Sequence, residues 1–164
     1  MPLETNPFAI LTFIAAPAVL TNASSLLALG TSNRFARAVD RSRQLIRILE
    51  SKQEPPRMLE LYRDQLPVYE RRATLLVRAL SAFYFAIGCF AAGSLLSLLG
   101  AILASAGDHP HLLRPLLTAT LLAGVAGLSG LIMGGGILVR ETRVALQMVS
   151  QETRFYREQV LGQT

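Results

Sequence analysis

Three long stretches of the sequence contain no charged side chain, and they restrict the chain to few kinds of fold. The stretches are 5–33, 79–107 and 115–139. A helix needs about 20 apolar residues to cross a hydrocarbon core of about 30 Å, so each stretch is long enough. Only 16% of the residues are charged, whereas soluble domains average about a quarter. The sequence therefore excludes most soluble folds.

The stretches predict an all-α integral membrane protein with three transmembrane helices. We place the helices at 7–30, 79–107 and 115–139, with an external loop at 108–114 between the second and the third. A secretory signal would begin with positive charges. Because the only charge before the first stretch is Glu4, we expect a retained span there rather than a signal.

Basic residues lie mainly on one side of the predicted spans. Of the sixteen, eleven lie in 34–78 and four follow Val139. Since basic segments stay on the cytoplasmic side of a membrane, we predict the N-terminus outside and the C-terminus inside. The net charge of +5 is then explained by topology and by contact with anionic lipid at the cytoplasmic face, and it does not indicate a nucleic-acid partner.

The charged segments are predicted to continue the membrane helices into the cytoplasm. Residues 31–78 should form an antiparallel helical hairpin, because the pair Pro55–Pro56 breaks a helix. Residues 140–164 should add a third cytoplasmic helix. On the first arm of the hairpin, helical spacing predicts an inward apolar stripe made of Phe35, Val39, Ile46 and Leu49.

A group of charges on this arm is a candidate for fixing helix register. Asp40 lies three residues from both Arg37 and Arg43, a spacing at which helical side chains meet. The group is either a solvated set of ion pairs, worth about 0–1 kcal/mol, or a buried pair that sets the register. The solvated set is the more common case.

Small residues four apart line the second and third predicted spans. This spacing lets helix backbones approach closely in lipid. The candidate residues for helix packing or an oligomer interface are Gly93, Ser97, Ala123, Gly127, Gly130 and Gly134. A three-helix monomer offers few internal surfaces for so many small faces, so we expect some of them to pack against other copies in a homo-oligomer.

The first predicted span is the most polar. Its candidate pore-lining residues are Ala18, Thr21, Asn22 and Ser25. Polar groups in hydrocarbon must meet a partner or water. Asn22 could bond the backbone freed by Pro17 or a neighbouring helix. Alternatively, Asn22 and Ser25 could form a neutral polar constriction around an oligomer axis.

No arrangement of residues typical of catalysis or cofactor binding is found in the sequence. Asp108, His109 and His111 could hold a divalent metal, but loop histidines more often have no such role. Cys89 is the only cysteine, and we expect it to behave as a small apolar residue. We therefore expect no enzyme activity, no cofactor and no metal.

The segment Asn6–Arg41 resembles the bacterial membrane proteins catalogued as domain of unknown function 2721. The resemblance rests on a proline-containing first span followed by Asn33–Arg34 and Val39–Asp40–Arg41, and it extends more weakly over 6–140. It implies a multi-pass protein of the bacterial inner membrane with three spans. It implies no activity.

Two functions are the main candidates, while a membrane enzyme that acts on lipid is a remote third for which the sequence supplies no catalytic residues. The first is a homo-oligomeric channel or channel-like pore, with the polar first helix lining the axis. The second is a non-catalytic structural or accessory subunit, which would use the small faces to bind a larger membrane complex and the cytoplasmic hairpin to dock a partner.

Overall fold

The computed structural model consists of three long helices. They are α1 (Pro7–Ser51), α2 (Pro56–Ala106) and α3 (Pro110–Leu161). The structure describes the backbone of 7–51, 53, 55–106 and 110–161, and the side chains of 15–51, 53, 55–105, 111–150, 153 and 157. Within these ranges the fold is all-α, as the sequence predicts.

Prolines mark the start of every helix. Proline is favoured at the first helical position because its missing N–H group would have no partner there. The N–H groups of Met58 and Leu59 donate to the Pro55 carbonyl, at 2.9 and 3.1 Å, and so close the first turn of α2. The turn between α1 and α2 thus falls where the sequence places a break.

Three further prolines lie inside helices without ending them. They are Pro17 in α1, Pro67 in α2 and Pro115 in α3. The predicted loop 108–114 is therefore shorter than expected, since α3 already begins at Pro110. Pro115 is the sixth residue of α3, so it removes one backbone hydrogen bond near the start of the helix without ending it. Residues 107–109 lie outside the described residues.

Two of the helices, α2 and α3, are long and apolar enough to cross a membrane. The most apolar windows of α2 and α3 are only 17% and 11% buried inside the protein. Their large apolar side chains therefore point outwards, among them Leu95, Leu121 and Ile132. The first predicted span, 7–30, is helical, but the side chains of 7–14 lie outside the described part of the chain.

Contacts divide the chain into two units, and each helix contributes to both. We call Met1–Leu29 with Ser81–Gly134 the apolar unit, and Gly30–Leu80 with Gly135–Thr164 the charged unit. In the charged unit the inward line of α1 consists of Thr31, Ala38 and Leu45, which are buried.

The inward apolar stripe predicted for α1 is wrong at Ile46, which is exposed. Phe35, Val39 and Leu49 are half-buried. Phe35 and Leu49 follow the line of Thr31, Ala38 and Leu45 at helical spacing, whereas Ile46 lies about 100° around the helix from Leu45.

In the apolar unit, bulky residues of α2 pack against small residues of α3. The rings of Phe83 and Phe90 are buried, and a Cβ added at Gly134 or Gly127 would meet them at 2.6 Å. A Cβ at Gly130 would lie 3.0 Å from the Ala82 carbonyl oxygen. The glycines of α3 therefore provide the space in which the two rings sit.

The same contact line includes Gly93, where an added Cβ would lie 3.7 Å from the Cβ of Ala123. Five of the six predicted small packing residues thus serve α2–α3 packing within one chain. They are Gly93, Ala123, Gly127, Gly130 and Gly134. The sequence-based expectation that a monomer lacks internal surfaces for them did not allow for the phenylalanines of α2.

Replacing Gly134 with alanine should destabilise the protein by about 1–3 kcal/mol, because the methyl group overpacks a buried ring. Gly124→Ala is the matched control, since a Cβ there meets nothing within 4 Å. Thermal unfolding in mild detergent, followed by circular dichroism, measures both. Equal unfolding temperatures for the two variants would contradict the packing described, and Phe83→Leu should partly rescue Gly134→Ala.

Candidate functional site

A buried carboxylate lies in the charged unit and contacts two arginines. Glu141 on α3 is only 2% exposed. Its Oε1 accepts a hydrogen bond from Nε of Arg72 on α2, at 2.9 Å, and forms an ion pair with Nη2 of the same guanidinium, at 2.8 Å. Its Oε2 lies 3.8 Å from Nη1 of Arg34 on α1. Each helix contributes one residue to this cluster, which we call the Glu141 triad.

The two arginines of the triad differ in how firmly they are held. The side chain of Arg72 is 22% exposed, and its guanidinium carbon lies 5.7 Å from the centre of the Tyr69 ring, within range of a cation–π contact. The side chain of Arg34 is 51% exposed, and its contact with Glu141 is too long for a hydrogen bond. Arg72 is therefore the residue that compensates the buried charge.

The Glu141 triad was not predicted from the sequence. Glu141 is the second residue after the third uncharged stretch and lies between Arg140 and Arg143, so it looks like one member of a solvated charged segment. Its partner Arg72 is 69 residues away in the chain. The one available signal was an acidic residue just beyond an apolar span, because an unpaired charge rarely survives there.

Within the part of the chain that the structure describes, no ion pair forms among the residues of the predicted charge group, Arg37, Asp40 and Arg43. Arg37 instead donates from Nε to the backbone carbonyl of Asn33, at 3.2 Å. Asp40 and Arg43 are exposed. Solvated side chains at this spacing gain too little interaction free energy to hold one geometry. The buried ion pair that was considered for them is found instead between Glu141 and Arg72.

The candidate pore-lining residues lie on α1 in the apolar unit. Ala18, Asn22 and Ser25 are exposed, and Thr21 is half-buried. Two hydroxyls are satisfied within the helix, since Thr21 donates to the Pro17 carbonyl at 2.8 Å and Ser25 donates to the Thr21 carbonyl at 2.9 Å. The amide of Asn22 makes no hydrogen bond with any described residue, so neither local bonding role considered for it is seen.

Polar atoms without a partner also occur inside both units. The buried Ser97 Oγ on α2 has no hydrogen-bond partner, nor does the buried Gln65 Oε1 on the same helix. Ser97 was predicted as a packing residue, and its hydroxyl is enclosed although it is not bonded. Cys89 is half-buried.

The charged unit also contains an open groove between α2 and α3, with a volume of about 280 Å³. Its lining is Pro67, Val68, Arg71, Val144, Gln147 and Met148. It combines an apolar floor with one arginine. The metal site considered at Asp108, His109 and His111 falls partly outside the described residues, and those that are described contain no group of three potential metal ligands.

Comparison with protein families gives one match, which covers most of the chain. Residues 14–151 match the family described as "Protein of unknown function (DUF2721)". The chain belongs to this family. The match confirms the resemblance suggested by the first span. No curated protein and no solved structure matches the chain.

The region that matches DUF2721 includes both features described above. Asn22 and all three members of the Glu141 triad lie inside 14–151. The family description assigns no activity, so the function of this DUF2721 protein has to be inferred from these two features.

Removing the charge of Arg72 should destabilise this DUF2721 protein strongly. Arg72→Met leaves a buried carboxylate unpaired, which costs about 3–5 kcal/mol. Arg34→Met is the matched control and should cost less than about 1 kcal/mol, because that pair is exposed and long. Chemical denaturation in detergent measures both. Similar costs for the two variants would contradict the assignment of Arg72 as the compensating partner, whereas Arg72→Met with Glu141→Met should recover most of the stability.

Proposed function

We propose that this protein is a homo-oligomeric channel or channel-like pore of the bacterial inner membrane, without catalytic activity. Each chain crosses the membrane three times, with its N-terminus outside and its C-terminus in the cytoplasm. Two observations support the membrane placement. The apolar windows of α2 and α3 are largely unburied, and fifteen of the sixteen basic residues lie in the two segments assigned to the cytoplasm.

The observation that carries the pore assignment is the exposed amide of Asn22. A polar group that faces hydrocarbon without a hydrogen bond costs several kcal/mol. The hydroxyls near Asn22 avoid this cost by bonding to their own helix, but the amide has no such bond. This cost is removed if the amide faces water or forms a hydrogen bond with Asn22 of another copy.

The exposed face of α1 that bears Asn22 also bears Ala18 and Ser25. Its small side chains permit close approach of a second helix or leave room for water. Three of the small residues of α3, Gly127, Gly130 and Gly134, are already in contact with phenylalanines of α2, so we assign the contacts between copies to α1. In a ring of subunits with α1 at the axis, Asn22 and Ser25 then line a neutral polar constriction.

The groove of the charged unit supports a second candidate, a structural or accessory subunit. Its apolar floor and the exposed side chains of Ile46, Leu146 and Val149 provide a surface on which the cytoplasmic part of another membrane protein could pack. In that case the exposed face of α1 contacts a foreign helix instead of another copy.

Subunit stoichiometry distinguishes these two functions. The protein purified in mild detergent should give one discrete homo-oligomer of four or more copies in native mass spectrometry, because a closed ring is needed to surround an axis. A monomer, or a stable mass that includes foreign chains, would support the accessory subunit and exclude a pore formed by this chain alone.

A functional test follows from Asn22 itself. In planar bilayers, Asn22→Leu should lower single-channel conductance about tenfold, which corresponds to about 1.4 kcal/mol of lost stabilisation of the permeating species. Ser129→Leu is the matched control, because Ser129 is an exposed polar residue of α3 whose hydroxyl bonds the Val125 carbonyl. Unchanged conductance in Asn22→Leu would rule out Asn22 as a pore-lining residue.

A further inference from the structure

Arg34 has donors that the Glu141 triad does not use. Both close contacts to the carboxylate come from Arg72 and end on Oε1, one a hydrogen bond from Nε and the other an ion pair with Nη2. Arg34 reaches only Oε2, at 3.8 Å, beyond the range of a hydrogen bond. The triad holds two guanidinium groups and one carboxylate, so it carries a net positive charge, and this charge is accessible at the half-exposed Arg34.

The surroundings of Arg34 on α1 add to this positive charge. Arg37 and Arg41 lie three and seven residues further on, so at about 100° per residue they are on the same side of the helix. Each uses one donor locally, Arg37 to the Asn33 carbonyl and Arg41 to the Gln44 side chain. Asp40, six residues from Arg34, lies about 120° around the helix from it, and it forms no ion pair with Arg34, Arg37 or Arg41 among the described residues.

We infer that Arg34 is the principal ligand of a phosphate-binding site at the cytoplasmic end of α1. The planar fork of a guanidinium matches the oxygens of a phosphate, and this pairing is stronger than a neutral hydrogen bond. Moving Arg34 away from Oε2 costs little, because Arg72 keeps its hydrogen bond and its ion pair with Glu141. Binding of phosphate by Arg34 therefore does not leave a buried charge without a partner.

The position of Arg34 favours the headgroup of an anionic phospholipid as the source of the phosphate. Arg34 is the first charged residue after the uncharged stretch 5–33. In the proposed membrane placement, on which this inference rests, that position coincides with the cytoplasmic headgroups. Free inorganic phosphate offers the same oxygens to the guanidinium, so an experiment has to separate the two sources.

The test is a titration of the delipidated full chain in detergent with phosphatidylglycerol, read out by native mass spectrometry. Arg34→Gln should weaken lipid binding about tenfold, as expected for the loss of one charge-assisted contact. Arg37→Gln, one turn away on the same side, is the matched control and should stay within about twofold. An unchanged unfolding temperature in Arg34→Gln shows that the loss of binding is not a loss of folding.

Competing ligands separate the two sources of phosphate. Binding that depends on Arg34 for phosphatidylglycerol, and that millimolar inorganic phosphate does not displace, supports the lipid headgroup. Arg34-dependent binding of inorganic phosphate alone supports the site and assigns it to the free ion. An equal effect of Arg34→Gln and Arg37→Gln, or no effect of Arg34→Gln, overturns the inference.

Failure of the pore proposal has a separate signature in the same spectra. The mass of the assembly gives the number of copies, whereas the lipid adducts report on Arg34. A monomer with Arg34-dependent adducts would therefore contradict the pore proposal and leave the phosphate-binding site supported. Release of the chain from membranes by alkaline carbonate would overturn the membrane placement itself.

Discussion

The carboxylate of Glu141 can remain buried only while a cation stays beside it, and the charged unit is organised by this requirement. Taking a charge out of water costs several kcal/mol, which must be offset by an opposite charge and by hydrogen bonds. Arg72 supplies both, through a hydrogen bond and an ion pair to the same oxygen. This condition ties α3 to α2, whereas the longer contact with Arg34 leaves α1 less firmly attached to the triad.

The apolar unit holds the same two helices together by a different means. Phe83 and Phe90 fill the space left by Gly134 and Gly127, so α2 and α3 are joined by van der Waals contact between rings and backbone. In both units α2 and α3 are thus in close contact. The exposed polar groups that carry the proposals, the amide of Asn22 and the guanidinium of Arg34, lie on α1.

The features that could be predicted from the sequence are those whose physical cause lies within one short segment of the chain. Uncharged stretches and prolines act within one segment, and they correctly predicted an all-helical chain and the turn at Pro55–Pro56. The spacing of the α3 glycines indicated a packing face, but spacing alone does not reveal that its partner is α2 of the same chain. The Asp40 group was proposed because its members are neighbours in sequence, whereas Glu141 depends on Arg72, 69 residues away.

Many hydroxyl groups of these helices are bonded within their own helix, which lowers their effective polarity. Along α1, α2 and α3, Ser and Thr side chains such as Ser24, Ser94 and Thr120 donate to the carbonyl four residues earlier. A donor engaged in this way no longer competes for water, so a neighbouring lipid chain meets mainly methyl and methylene groups. Scales that assign every hydroxyl its full hydration penalty therefore underestimate the lipid compatibility of α1, whose composition looks too polar for a span.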